Sequence, residues 1–232
     1  MTSPDRPSSG TFITIEGPEG AGKTTQAERL TGHLAGLGRE VVLVREPGGT
    51  PVGEEIRGVL LHGRATRIGP RTDALLFNAA RAQLVDEVIR PALARGQIVV
   101  STRFSDSTLA YQGYGLGLPL DALRELDAFA TGGLVPDRTV LLDVAVTDGL
   151  ARKPAADRTR FETAYDAAFH DRVRDGFLAL ARLEPARFVV IDAAPDAATV
   201  FGRILERLDL VPAPGTDDPA AEPETGSLRI QR

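Results

Sequence analysis

The stretch Phe12–Leu37, FITIEGPEGAGKTTQAERLTGHLAGL, decides the fold. It opens on Phe12–Ile15, apolar or β-branched throughout, as in a strand buried on both faces. It closes on Ala27, Leu30, Leu34 and Leu37 at steps of three and four, with Gly36 and Gly38 near a plausible stop, which predicts a helix over Thr24–Leu37. Between them Gly17, Pro18, Glu19, Gly20, Ala21, Gly22, Lys23 and Thr24 match G-x-x-x-x-G-K-[ST] in full, and Thr25 follows. Glycines let backbone N–H groups wrap around phosphate. Lys23 is then placed for the β- and γ-phosphates, and the Thr24 hydroxyl for Mg²⁺. The helix that follows points its N-terminus at the same anions. Strand before and helix after are the context this motif needs, so the chain is expected to bind a nucleoside triphosphate.

Outward from this stretch the same alternation repeats. Val41–Val44, Ile98–Val100, Val140–Leu142 and Phe188–Ile191 are further short apolar runs. Helical periods separate them: Ala74, Phe77, Arg81, Leu84 and Val88 follow Pro70, while Pro119 and Pro195 are placed to open two later helices. The expectation is an α/β domain, a doubly wound five-stranded parallel sheet with helices on both faces. One domain over residues 11–210 is predicted, with tails at 1–10 and 211–232. The second tail, VPAPGTDDPAAEPETGSLRIQR, lacks a hydrophobic period and reads as disordered.

Composition excludes several classes. The 232 residues, 42% hydrophobic and 25% charged, suit a globular domain rather than a fibrous or disordered chain. No apolar run approaches the roughly 20 residues of a spanning helix, so no membrane association is expected. MTSPDRPSSG at the start lacks the apolar region of a secretory signal, which favours a cytoplasmic location. There is no cysteine, and His33, His62 and His170 have no ligand-like spacing, so thiolate and zinc chemistry are excluded. A net charge of −5 and the lack of a long basic stripe argue against nucleic acid as a partner.

Among phosphate-loop proteins a GTPase would carry an N-K-x-D tetrad, and none is present. A compact domain with arginine-rich segments downstream suits a small-molecule kinase. REPGGTPVGEEIR (Arg45–Arg57) makes a tight turn at a strand's carboxyl end, where open α/β sheets bind ligands. RTDALLFNAARAQ (Arg71–Gln83) sets Phe77 and Arg81 one helical turn apart, able to stack on and hydrogen-bond a flat base, or else a core Phe beside a solvated Arg. STRFSDSTLAYQGYG (Ser101–Gly115) is dense in hydroxyls, aromatics and amides. GLARKPAADRTRF (Gly149–Phe161) gathers Arg152, Lys153, Arg158 and Arg160 in a polar stretch with the composition of a mobile lid.

From about Thr11 to Leu210 the chain resembles the bacterial thymidylate kinases. GPEGAGKTT, REPGGT, LLFNAAR, TRF…AYQG and the basic lid all stand in that family's order. The resemblance implies a P-loop kinase fold, transfer of the γ-phosphoryl of ATP to dTMP with Mg²⁺, and a homodimer. By position it implies that Phe77 stacks on thymine, Arg81 bonds its O4, and Thr108 and Gln112 complete the base contacts. Tyr111 would lie against the deoxyribose, Arg103 and Arg57 would hold the dTMP phosphate, and Glu19 would meet the 3′-hydroxyl. The phosphate loop carries Glu19 and Ala21 and no arginine, so the family's pattern points to lid cations, Arg152 and Arg158 first, for the transition state. The dimer would use the helices beginning at Glu54 and Pro70, whose Val59, Leu60, Leu75, Leu76 and Val85 are from sequence equally consistent with core. Asp192–Pro195 is a candidate adenine-side loop.

One position departs. The family has Asp-Arg-aromatic after the third strand, and here the triplet is Thr102-Arg103-Phe104. The absent carboxylate would stand near Mg²⁺. Asp106 and Glu16 are candidate replacements, whereas Asp143, ending VLLD, reads as a structural strand end. Altered metal dependence with activity retained is the expectation. The alternatives are a nucleotide-binding homologue without catalysis and a kinase for a related pyrimidine monophosphate.

Overall fold

Each of the five apolar runs forms a strand of one parallel sheet in the computed structural model, which describes residues 10–62, 68–154 and 159–210. The strands β1 (Thr11–Glu16), β2 (Val41–Arg45), β3 (Ile98–Thr102), β4 (Arg138–Asp143) and β5 (Phe188–Asp192) lie in the order β2-β3-β1-β4-β5. They extend past their apolar stretches because pairing continues through polar ends: Ile15 lies opposite Thr102, and Asp143 opposite Asp192. β1 is central: the chain runs from it to the β2 edge, returns through β3 and crosses to β4 on its other side, so the loop after β1 opens at the crevice where such sheets bind ligands.

The helices are α1 (Lys23–Gly36), α2 (Pro51–His62), α3 (Pro70–Leu84), α4 (Arg90–Ala94), α5 (Ser105–Thr108), α6 (Leu120–Thr131), α7 (Val146–Arg152), α8 (Arg160–Ala164), α9 (Ala167–Leu183) and α10 (Ala197–Arg207). α1 begins and ends one residue earlier than the periodicity suggested, because Gly22 is its N-cap. Pro119 is likewise an N-cap rather than a first helical residue. Pro195 precedes the true cap, Asp196, whose carboxylate accepts from the N–H groups of Ala198 and Thr199. π-helical turns join α3 to α4 (Val85–Ile89) and extend α5 (Leu109–Gly115).

Period-two alternation splits the core into two layers. Ile13, Ile15, Val100, Val140 and Leu142 pack with Leu30 and Leu34 of α1 and Val200 and Ile204 of α10. On the other face, Phe12, Val99 and Phe104 pack with Leu84 and Ile89, and Leu141 packs with Phe169, Val173 and Phe177 of α9. A polar seam crosses this second face. Thr14 and Thr139 share a 2.8 Å hydroxyl bond, and Arg187 grips Asp106 through two bonds of 2.6 and 2.9 Å. Of the apolar residues on α2 and α3, Leu60 belongs to the core, as does Val85 just after α3, while Val59 and Leu75 are exposed.

Gly10, assigned to the N-terminal tail, donates its N–H to Leu93 O at 3.0 Å and so belongs with the domain. The remaining tail residues, 1–9 and 211–232, lie outside the described residues, as do 155–158 of the lid segment. Among the described residues no helix is long and apolar enough to cross a membrane.

Candidate active site

The loop after β1 curls because three of its glycines adopt positive φ, at 142° (Gly17), 69° (Gly20) and 89° (Gly22). Gly20 is also required by space: a Cβ there would lie 1.8 Å from Gly149 O of α7. Gly149 reciprocates, since a Cβ on it would meet Glu19 O at 2.3 Å. The phosphate loop and the first helix of the lid segment therefore touch backbone to backbone. Lys23 Nζ lies across the loop, donating to Gly17 O at 2.9 Å and Pro18 O at 2.6 Å. Burial, and then the charge of Arg103, push its pKa down to about 7, as expected of an ammonium awaiting an anion. α1 starts here without a side-chain cap, leaving its first N–H groups for phosphate oxygens.

From this loop a cavity of about 920 Å³ runs along the carboxyl edge of the sheet. Its volume is in the range that holds a small-molecule ligand. Glu19, Lys23, Thr24 and Thr25 line one part, Arg57, Phe77, Thr108, Tyr111 and Gln112 another, and Thr102, Arg103 and Lys153 also border it. The sequence thus brought its phosphate loop and its base-sized segment into one space.

Arg103 is the junction. Its φ of +71° is unusual for a residue with a Cβ and is held by Ser101 Oγ, which donates to Arg103 O at 2.8 Å. The guanidinium donates to Glu19 Oε1 at 2.7 Å, to the Tyr111 hydroxyl at 3.1 Å and to Ser107 Oγ at 3.1 Å. The Tyr111 hydroxyl in turn donates to Glu19 Oε1 at 2.9 Å, and Lys153 Nζ stands 3.6 Å from Glu19 Oε2. Burial raises the Tyr111 pKa well above its ordinary value, so the phenol stays a neutral donor. Two cations and a hydroxyl on one carboxylate make a locus that an incoming phosphate can share. Arg57 donates to Pro47 O at 2.8 Å and also faces the cavity; burial lowers its pKa.

The base-sized end has an aromatic wall of Phe77, Phe161 and Tyr111, with Phe161 centred 6.0 Å from Phe77 and 5.5 Å from Tyr111. Gln112 and Thr108 supply polar edges, and the π-helical turn carries Tyr111 and Gln112 on its wall side. Arg81, expected to face a base, is instead 1% exposed and absent from the cavity wall. Its donors are taken by Glu46, Thr108, Asp127 and the Phe104 carbonyl, at 2.8, 3.0, 2.7 and 3.1 Å. Arg81 supports Thr108 from behind.

The carboxylates considered as replacements at Thr102 also turn inward. Asp106 is held by Arg187, and Glu16 accepts from Phe104 N–H at 2.7 Å and from Ser107 Oγ at 2.6 Å. Asp143 is paired with Arg174, the strand-end role read for it. Among the described residues no cluster of three His, Cys, Asp or Glu could hold a metal. The hydroxyls of Thr24 and Thr102 do border the cavity. They suit Mg²⁺, which keeps several waters and takes its remaining ligands from substrate phosphates.

Of the lid cations, Arg152 donates to Ala193 O and Ala194 O, at 2.8 and 2.7 Å, on the loop after β5 that also borders the cavity. Arg160 turns to Leu60 O and Asp73, and Arg158 lies outside the described residues. Lys153, named among the lid cations but ranked behind Arg152 and Arg158, is the lid cation beside the phosphate loop. Phe161 and Gly149 were missed, since both act through contacts between distant segments.

Comparison with known proteins agrees with this geometry. The family model described as thymidylate kinase matches residues 15–204. A thymidylate kinase of Deinococcus radiodurans is 54% identical over 187 residues, 80% of this chain and 90% of the relative. One of Thermomicrobium roseum is 55% identical over 184 residues, 78% of this chain and 86% of the relative. The crystal structure of thymidylate kinase from Ehrlichia chaffeensis superposes with a TM-score of 0.70 at 34% identity, covering 86% of this chain and 98% of that one. With a phosphate loop, a base-sized slot and an arginine junction in one crevice, and with these relatives, the chain belongs to the thymidylate kinase family.

Proposed function

We infer that the protein transfers the γ-phosphoryl group of ATP to dTMP, giving dTDP and ADP. The observation that carries this reading is one continuous cavity. It holds an uncapped helix N-terminus with Lys23 and, elsewhere along it, an aromatic and amide slot, with Arg103 also on its wall.

Residues 17–25 would wrap the ATP phosphates, and Arg152 with the Ala193–Pro195 turn would border the adenine side. Phe77 would stack on thymine, Thr108 and Gln112 would meet its polar edge, and Tyr111 would fill the space beside the deoxyribose. Arg103 and Arg57 would hold the dTMP phosphate, and Glu19 would turn to the 3′-hydroxyl. The transferred group passes through a loose, in-line transition state, so the protein's task is positioning and charge neutralisation. A dTMP phosphate oxygen forms the new P–O bond as the bond to the β–γ bridging oxygen breaks. Lys23 from the loop and Lys153 from the lid would flank the transferred charge, with Arg158 completing the lid set. Mg²⁺, held by Thr24 and by water on Thr102, would neutralise phosphate oxygens when bound. Excluding water from the closed cavity would suppress hydrolysis of ATP.

A second copy of the chain is the expected partner. Val52, Val59 and Leu75 stand 48, 52 and 56% exposed on α2 and α3, which pack side by side. An exposed apolar surface of this kind marks an association face.

Label transfer tests the reaction. With γ-labelled ATP and dTMP, the label should appear in dTDP, and Lys23→Ala should slow this at least about 10²-fold, as for loss of a transition-state donor. Label released as inorganic phosphate at equal rates with and without dTMP would contradict it.

A further inference from the structure

We propose that Asp73 is a positioning residue for substrate choice: it fixes which end of the Gln112 amide faces the base. The inference rests on the reading of dTMP as the acceptor and adds the device by which the base edge is read.

Asp73 sits in the first turn of α3, 1% exposed, and does not line the cavity. Its Oδ2 accepts from Gln112 Nε2 at 2.8 Å, and its Oδ1 accepts from the Arg160 guanidinium. An ionised carboxylate offers lone pairs alone, so the amide nitrogen is the end that must face it. Gln112 Oε1 is thereby left for the cavity that Gln112 lines, and among the described residues nothing donates to it.

An amide presented through oxygen can accept and cannot donate. Thymine and uracil carry N3–H and match it. Cytosine offers a lone pair at N3, so a cytosine base would leave two acceptors opposed. A glutamine held at one end by a group that could also donate would turn over and tolerate either edge. The carboxylate therefore supplies discrimination without touching the substrate.

Arg160 completes the device. It lies at the start of α8, where the lid segment ends, and its side chain, 20% exposed, also donates to Leu60 O of α2. Burial raises the pKa of Asp73, and the Arg160 charge opposes that rise. The ion pair thus keeps Asp73 in the form that can only accept, and ties the reading of the base to the packing of α2, α3 and α8.

The test compares kcat/KM for dTMP with that for 5-methyl-dCMP, which shares the ring methyl and differs at N3 and the 4-position. Asp73→Asn should narrow the ratio about tenfold, the worth of one discriminating hydrogen bond. Added to Gln112→Ala, the same substitution should leave the ratio unchanged. Should Asp73→Asn fail to fold, Arg160→Gln, at a partly exposed side chain, must narrow the ratio in the same direction. Equal losses on both substrates, with the ratio unmoved, would overturn the inference and leave the kinase reading standing. No turnover of dTMP by the unaltered enzyme would overturn both.

Discussion

Thr102 stands where the family resemblance implies a carboxylate, and neither Glu16 nor Asp106 replaces the charge, because both are committed to inward partners. A hydroxyl can hold a metal-bound water but adds no Coulombic attraction. Thr102→Asp should therefore lower the Mg²⁺ concentration needed for half-maximal turnover, at saturating ATP and dTMP, by several-fold. An unchanged titration would show that Thr102 has no part in metal use. At this scale the sequence was legible where a motif fixes a role by spacing, as for Lys23 and Thr24, or where an aromatic must face a cavity, as for Phe77. It was not legible for Arg81, whose acceptors include Glu46 just past β2, Thr108 of α5, Asp127 of α6 and the backbone carbonyl of Phe104. Arg152 and Lys153 are adjacent in sequence yet reach different segments, the loop after β5 and Glu19 of the phosphate loop, a difference that periodicity does not contain.

Among elements, β1 and the turn after β3 are joined by Glu16. Its carboxylate is fully buried, and that burial, with Asp106 nearby, raises its pKa from 4.5 to about 7. Between those values the folded chain holds a proton that the unfolded chain has released, so stability falls as pH rises through this window. The loss attributable to Glu16 is on the order of 2–3 kcal/mol between pH 4.5 and 7. Glu46, raised by burial to about 7 as well, acts in the same direction. Urea unfolding at pH 5 and 7.5 should show the wild type losing stability with pH, and Glu16→Gln losing clearly less. Equal slopes for the two proteins would contradict the assignment. The five strands were readable from short apolar runs because each is buried on both faces. Their polar ends were not, since pairing rather than hydrophobicity extends them. The contact between Gly20 and Gly149 was hidden too: glycines 129 positions apart carry no local sign that their backbones meet.

For the whole molecule, the exposure of Val59 and Leu75 marks them for the proposed association face in a way their sequence context could not, because Leu60 and Val85 are equally apolar and fully buried. Val59→Asp with Leu75→Asp should convert a dimer to a monomer in sedimentation velocity, without loss of folded structure. A monomeric wild type would remove the proposed partner. Fold class and phosphate site followed from the order of strand, glycine loop and helix, whereas the placing of Lys153 beside Glu19 and of Arg160 beside Asp73 depends on long-range packing. The most direct measurement of the central claim is ADP release in a coupled assay with ATP and Mg²⁺, offering dTMP, dUMP, dCMP and dGMP in parallel. The account predicts turnover with dTMP, much weaker turnover with dUMP, and little with dCMP or dGMP. Preference for a purine acceptor, or dTMP binding without ADP release, would contradict it.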